Sequence, residues 1–192
     1  MVGNLGGIKL KNKISFTGSS LWAFVRQPEK YKGKEVGYSI QVALTEEQIA
    51  KIKQFFQERF EEDFGDKKCS GEISLPIKEQ KDGTQAIKLR TSLGFTDKMT
   101  NEFKNRVIPV LDKYGVPLPP ETLVGNGSLV TASGTYKLFY DNATKWGVRI
   151  YLDAVKVSEL VTYDPYGLTF DEKPDGEEDE KGTVKQTNEA DF

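Results

Sequence analysis

Hydrophobic and polar positions alternate along two long stretches of this chain and fall into helical spacing in one. In NGSLVTASGTYKLFYDNATKWGVRIYLDAVKVSEL, Val130, Ala132, Tyr136, Leu138 and Tyr140 share one alternate face. Thr131, Ser133, Thr135, Lys137 and Phe139 share the other. After a turn at Asp141-Asn142, Val148, Ile150 and Leu152 face inward while Arg149 and Tyr151 face out. A period of two predicts paired, half-buried strands. ISFTGSSLWAFVRQPEKYKGKEVGYSIQVAL also reads as two strands. Residues 21–25 are apolar and aromatic, and Gln27-Pro28 and Lys32-Gly33 break the chain. Tyr38, Ile40, Val42 and Leu44 then alternate with Gly37, Ser39, Gln41 and Ala43, which turns the even positions towards a core.

The spacing changes at Thr45-Glu46-Glu47-Gln48. Thr45 stands as N-cap and Gln48 at the capping-box position. Ile49, Ile52, Phe56, Phe60 and Phe64 follow as one apolar stripe that Gly65 ends. Phenylalanines at this spacing predict core packing. EISLPIKEQKDGTQAIKLRTSLGF predicts a hairpin turning at Asp82-Gly83, whose second arm sets Lys88 and Arg90 on one face against Ile87 and Leu89. In 99–125, Pro109, Pro117, Pro119 and Pro120 predict an extended excursion with little regular structure. Beyond Leu168 periodicity stops and apolar residues are few, so residues 169–192 read as a disordered tail behind a 1–168 domain. Many short strands with one helix inserted after the second predict a mainly β fold, an OB-fold-like Greek-key barrel.

Composition narrows the chemistry. The 192 residues include no histidine and one cysteine. That removes Ser-His-Asp and Cys-His nucleophilic catalysis, histidine general bases and His- or Cys-rich zinc sites. A Mg²⁺ hydrolase built on carboxylates alone survives this argument. A single cysteine forms no internal disulfide, which suits a reducing compartment. The first residues, MVGNLGGIKLKNK, contain no apolar segment of the kind a secretory signal needs. Apolar runs are far shorter than the roughly 20 residues that span a bilayer.

Net charge is −2, but it is unevenly distributed. Residues 169–192 carry nine acids and three bases, while residues 1–168 carry 24 bases and 20 acids. A basic body joined to an acidic tail predicts a surface for polyanions with its own tethered competitor.

Cations and aromatics recur together on three hairpins. Arg26, Lys30, Tyr31, Lys32 and Lys34 crowd the first, and Lys88 and Arg90 lie on the second. Lys137, Phe139, Lys145, Trp146, Arg149 and Tyr151 lie on the third. Single-stranded nucleic acid requires this mixture, because cations follow phosphates and aromatic faces stack on unpaired bases. Half-exposed aromatics also cover barrels, and lysines also solvate surfaces; the repetition over three hairpins favours binding. The strand around Trp22 is too short to assign that ring to core or platform.

Two further clusters carry less. Cys69 in KKCSG has Lys67 and Lys68 beside it but no base to activate it. Glu58, Glu61 and Glu62, with Asp63 and Asp66, share a helix end and suit solvation better than a metal. In the tail, Glu177, Glu178, Asp179 and Glu180 form a dense acidic run, and Glu189, Asp191 and Phe192 close the sequence. A terminal ring with its carboxylates suits docking into an apolar pocket with a basic rim.

The stretch LVGNGSLVTASGTYKLFYDNATKWGVRIYLDAVKVSEL resembles the C-terminal hairpin region of bacteriophage single-stranded DNA-binding proteins. The resemblance rests on Asn126-Gly127-Ser128, on Lys145-Trp146-Gly147-Val148 leading into Arg149, and on Ala154-Val155-Lys156-Val157. WAFVRQPEKYKGKEVGYSIQVAL is similar to that family's first hairpin, and Asp191-Phe192 after an acidic run is similar to its tail. The order of the three carries the likeness; the middle of the chain is generic. It implies an OB-fold core, non-enzymatic coating of single strands in phage replication and recombination, and strand annealing. It also implies recruitment of phage DNA polymerase and helicase-primase by the tail, dimers in some members, and a place in the cytoplasm of the infected bacterial host. No cofactor, metal or membrane is expected. The chain departs from the family where KGTVKQTN separates the dense acids from Glu189. RNA binding by the same surface, and a Mg²⁺-dependent nuclease, are the alternative readings.

Overall fold

The computed structural model describes residues 12–162. Two strands open the fold, β1 (Lys13–Tyr31) and β2 (Lys34–Leu44), joined by Lys32-Gly33 with φ of 50° and 77°. Positive φ at both positions is the hairpin turn that matches strand twist, and Gly33 takes it at no steric cost. The break expected at Gln27-Pro28 is absent. β1 runs through it, and the irregularity appears as register shifts against β2 between Leu21 and Lys30. Such bulges absorb a proline without ending the strand.

Helix α1 (Glu46–Phe64) starts with the expected capping box: Gln48 N–H donates to Thr45 Oγ1, and Thr45 N–H donates to Gln48 Oε1. Its stripe buries Ile49, Phe56 and Phe60, with Ile52 and Phe64 partly covered. Next come β3 (Ile77–Glu79) and β4 (Gln85–Thr91), with Gly83 at φ 84° in the turn between them.

Part of the proline-rich excursion is regular. β5 (Gly94–Thr96) and β6 (Phe103–Asn105) form a separate two-stranded hairpin, and β7 (Val110–Leu111) pairs in parallel with the last strand. The last hairpin is β8 (Leu129–Asn142) and β9 (Lys145–Glu159). Its turn falls at Ala143-Thr144, two residues beyond the expected one, because Asn142 still pairs with Lys145. Asn142 Oδ1 accepts from Thr144 N–H and Oγ1–H, which closes the turn locally.

The main sheet has the order β3-β4-β2-β1-β8-β9-β7 and curls until β4 approaches β9. This open, OB-like barrel with one inserted helix is the mainly β architecture the pattern predicts. Alternate residues from β2, β4, β8 and β9 fill it: Ile40, Val42, Ile87, Leu89, Val130, Ala132, Ile150 and Leu152 are all buried. Gly134 sits at a register shift in β8, where an added Cβ would lie 2.6 Å from Tyr151 O and 3.1 Å from Leu89 Cδ2. A side chain there would hold β8 away from its neighbours.

α1 lays its rings on the β8–β9 hairpin. Phe56 meets Tyr136 edge to face at 5.2 Å, and Phe60 lies 4.6 Å from Trp146 and 6.4 Å from Tyr140. Phe56 is fully buried. Phe56→Ala is expected to cost about 3–5 kcal/mol through lost burial and a residual cavity, read by urea unfolding. A loss below about 1 kcal/mol would show that the helix does not hold the hairpin through this ring.

Candidate nucleic-acid interface

The curl of the sheet leaves a groove between β4 and β9. One half, a cavity of about 550 Å³, is lined by Pro76, Ile77, Lys78, Lys88 and Arg90 on one wall and by Val148, Arg149, Ile150 and Tyr151 on the other. The other half, about 490 Å³, shares Arg90 and Tyr151 and adds Val36, Thr91, Ser92, Arg106, Thr135 and Asp153. Strand alternation explains the lining. Leu89, Ile150 and Leu152 point into the core, so Lys88, Arg90, Arg149 and Tyr151 point away from it.

Lys137 of β8 stands directly opposite Arg149, and the Arg149 guanidinium covers the Phe139 ring at 4.8 Å from its centre. A planar cation on a ring is a rigid surface for stacking and phosphate contact together. Tyr151 is exposed beside it. Of the groove cations, Lys78, Arg90, Arg106 and Arg149 make no ion pair among the described residues.

Lys88 differs. Its Nζ donates to both carboxylate oxygens of Glu29 at 2.9 Å, and Ser39 Oγ donates to Glu29 Oε2 at 2.7 Å. Burial pushes the Glu29 carboxyl up, but the bonds from Lys88 and Ser39 outweigh it and hold the group below its ordinary value. Asp153, the other acid at the groove, is taken by Lys13 at 2.7 Å and by Thr135 Oγ1. Both groove acids therefore carry local partners.

The remaining expected residues lie elsewhere. Trp146 is 3% exposed, packs on Phe60 and donates its indole N–H to Ser70 O at 3.2 Å, so it belongs to the core and cannot stack on a base. Arg26 donates to Leu118 O at 2.6 Å and to Pro119 O at 3.1 Å, and so fastens the proline-rich loop. Lys145 pairs with Asp141 at 2.8 Å at the far end of the β8–β9 hairpin; the lysine bond holds the Asp141 carboxyl below its ordinary value. Lys30, Tyr31, Lys32 and Lys34 form the exposed tip of β1–β2, where the Lys32 ammonium lies 5.5 Å from the Tyr31 ring centre. Glu177, Glu178, Asp179, Glu180, Glu189, Asp191 and Phe192 lie outside the described residues.

Glu58, Glu61 and Glu62, weighed above as a metal cluster, accept from Gln54, Gln57 and Arg59 along α1. Among the described residues no three Asp, Glu or Cys side chains form a metal-holding group. The sequence reading missed Lys78 and Arg106, which reach the groove through a three-residue strand and through the segment after β6.

Solved structures share this fold. The fold is that of bacteriophage single-stranded DNA-binding proteins. The gp2.5 single-stranded DNA-binding protein of bacteriophage T7 superposes with a TM-score of 0.59 at 20% identity, over 82% of this chain and 97% of that one. The single-stranded DNA-binding protein of bacteriophage Enc34, in complex with single-stranded DNA, superposes at 0.52 and 18% identity, over 82% of this chain and 91% of that one. A second structure of the Enc34 protein superposes at 0.51 and 16% identity, over 83% of this chain and 88% of that one. No protein-family model matches the chain, and no curated protein matches its sequence.

The Glu29–Lys88 bridge gives a pH test. A carboxyl held below its unfolded value stabilises the fold above that unfolded value, near 4.5, and loses the contribution as pH falls through the folded one. Wild type should therefore exceed Glu29→Gln in urea midpoint at neutral pH, and the gap should shrink as acidification takes the solution below the unfolded carboxyl's value and through the lowered folded one. A gap constant with pH would mean that the carboxylate charge contributes nothing there.

Proposed function

We propose that the protein binds single-stranded DNA without sequence preference, with phosphates along the cations of the β4–β9 groove and bases against Tyr151 and Phe139. The single observation that carries this reading is a groove in which Lys78, Arg90, Arg149 and Arg106 surround exposed Tyr151, with the Arg149 guanidinium laid on the half-buried Phe139 ring. Cations alone would take any polyanion, and rings alone any apolar ligand. Their interleaving at the mouth of an OB-like barrel suits an unpaired strand, whose bases are free to stack. The structures of the phage proteins that share the fold support the same reading.

Labelled oligo-dT is expected to bind far more tightly than a duplex of equal length. Four phosphate contacts give a slope of log K against log salt of about −3. Arg149→Gln should flatten that slope by about 0.7, and Tyr151→Ala should weaken binding by about 1–3 kcal/mol. Trp146 is buried, and exposed Trp22 lines a separate cavity with Phe24 and Asn126, so the affinities are read from the labelled DNA. Equal affinity for duplex and single strand would sink the reading. A matched RNA oligomer that outcompetes the DNA would move it to RNA.

The physiological setting proposed is phage DNA replication and recombination in the cytoplasm of the infected bacterial host, with annealing of complementary strands. In this proposal the acidic tail competes with DNA for the basic groove, and Phe192 with its neighbouring carboxylates recruits the phage polymerase and helicase-primase, or a second copy of the chain. The excess of nine acids over three bases in 169–192, set against a basic body, supports it. Deleting 169–192 should raise affinity for oligo-dT and weaken capture of polymerase or helicase-primase, and Phe192→Ala should affect the capture more than the DNA. Truncation that changes neither would reduce the tail to a solubilising appendage.

A further inference from the structure

Among the described residues the β5–β6 hairpin pairs with no other strand, and it exposes two phenylalanines and a methionine. A two-stranded hairpin has little capacity to bury apolar groups by itself, so exposed rings on one call for a ligand. Its two faces differ. Thr96 stands opposite Phe103, and Gly94 opposite Asn105, on one face. There the Phe103 ring folds over Gly94, where an added Cβ would lie 2.6 Å from the ring. The other face carries Phe95 opposite Lys104. Phe95 is 49% exposed, and the Arg106 guanidinium stands 5.8 Å from its ring centre.

Arg106 joins this face to the groove. Its N–H donates to Leu93 O at 2.7 Å, which extends the hairpin pairing by one step, and its side chain lines the groove with Arg90 and Tyr151. The hairpin's acids are Asp97 and Glu102. Asp97 is taken by Lys104 and by the Met99 N–H, and the Lys104 bond holds its carboxyl below its ordinary value. Arg106 makes no ion pair among the described residues, so it remains available to a phosphate.

We propose that the Phe95 face of the β5–β6 hairpin is a second base-stacking platform, which takes the DNA strand as it leaves the β4–β9 groove past Arg106. The occupant is the same single strand: the face continues the groove through Arg106, whose guanidinium stands beside the Phe95 ring and makes no ion pair among the described residues, so one cation and one exposed ring meet where the strand would leave. The hairpin then sets the length of strand the protein covers. This inference rests on the groove reading and adds a length dependence that the groove alone does not have.

The test compares full-length wild type, Phe95→Ala and Phe95→Trp on oligo-dT of about 6 and about 16 nucleotides, within the span of OB-fold site sizes. On the short oligomer all three should bind alike. On the long one, Phe95→Ala should be about 5- to 150-fold weaker, the value of one lost base stack, and Phe95→Trp should match wild type. The new indole in Phe95→Trp should be quenched by the long oligomer and not by the short one. Phe95→Ala indistinguishable from wild type at both lengths, or weakened equally at both, would overturn the platform while leaving the groove intact. Wild type that binds neither oligomer would overturn both.

Discussion

A β-strand must send successive side chains to opposite faces, and the rest of this molecule depends on how β8 and β9 obey that constraint. Over fourteen and fifteen residues they keep one face in the core and leave the other to Lys137, Phe139, Arg149 and Tyr151. The buried face is held from outside as well as inside. α1 covers its far end with Phe56 and Phe60, while Leu89 and Ile87 of β4 fill the barrel beneath. Packing on both sides fixes this wall within the fold, so a ligand proposed for its outer face would meet side chains already placed by the core. Close packing of the strands needs Gly134 of β8, where an added Cβ would lie 2.6 Å from Tyr151 O of β9 and 3.1 Å from Leu89 Cδ2 of β4.

Charge in the groove is distributed with a similar economy. Lys88 points at the same channel as Arg90 and Arg149, yet Glu29 accepts both of its close bonds and Ser39 orients the carboxylate. That pair spans β1 and β4 across β2, so it fastens three strands at the groove floor. The partly covered lysine would be costly to leave unpaired. The cations left for a polyanion are the ones nearer solvent, where exchange between carboxylate, phosphate and water is cheap. Lys88 is thereby committed to the fold, while Arg90 two positions on makes no ion pair among the described residues.

Much of this was legible from the sequence where the signal is local and periodic. The capping box at Thr45, the stripe from Ile49 to Phe64 and the inward set Val148, Ile150 and Leu152 all appear as read. Trp146 shows how a correct rule can be stopped too early. It is even-numbered like Val148 and Ile150 and pairs with Tyr140, so the alternation that buries them buries it too. With the turn at Asp141-Asn142 the alternation visible in the sequence begins at Val148 and leaves Trp146 outside it, among the residues of the hairpin end. Lys78 and Arg106 were not legible, because strands of three residues have too few alternations to define a face. The Glu29–Lys88 bridge joins residues 59 apart, and no periodicity reports such a contact.

Asn126-Gly127-Ser128, one carrier of the family likeness, is a clasp rather than a contact point for ligand. Ser20 Oγ and Ser128 Oγ both donate to Gly125 O at 2.8 Å, and Ser128 Oγ accepts from Val161 N–H. Ser20 and this loop also exchange backbone bonds, Ser20 N–H to Ser128 O and Gly127 N–H to Ser20 O. Asn126 Oδ1 accepts the N–H of Trp22, whose φ of 49° is a left-handed conformation that costs a bulky residue about 1–2 kcal/mol. That cost is offset by the surrounding bonds, and the bend it makes lies at the first register shift of β1 against β2. Beyond the shift β1 continues to its tip at Tyr31; before it, β1 pairs in unbroken register with β8 from Lys13 to Ser19. The loop therefore fixes where β1 leaves one neighbour and bends along the other. The role of Asn126-Gly127-Ser128 in this fold is thus carried by its hydrogen bonds to the backbone of β1, which set the course of the strand from which Glu29 reaches Lys88.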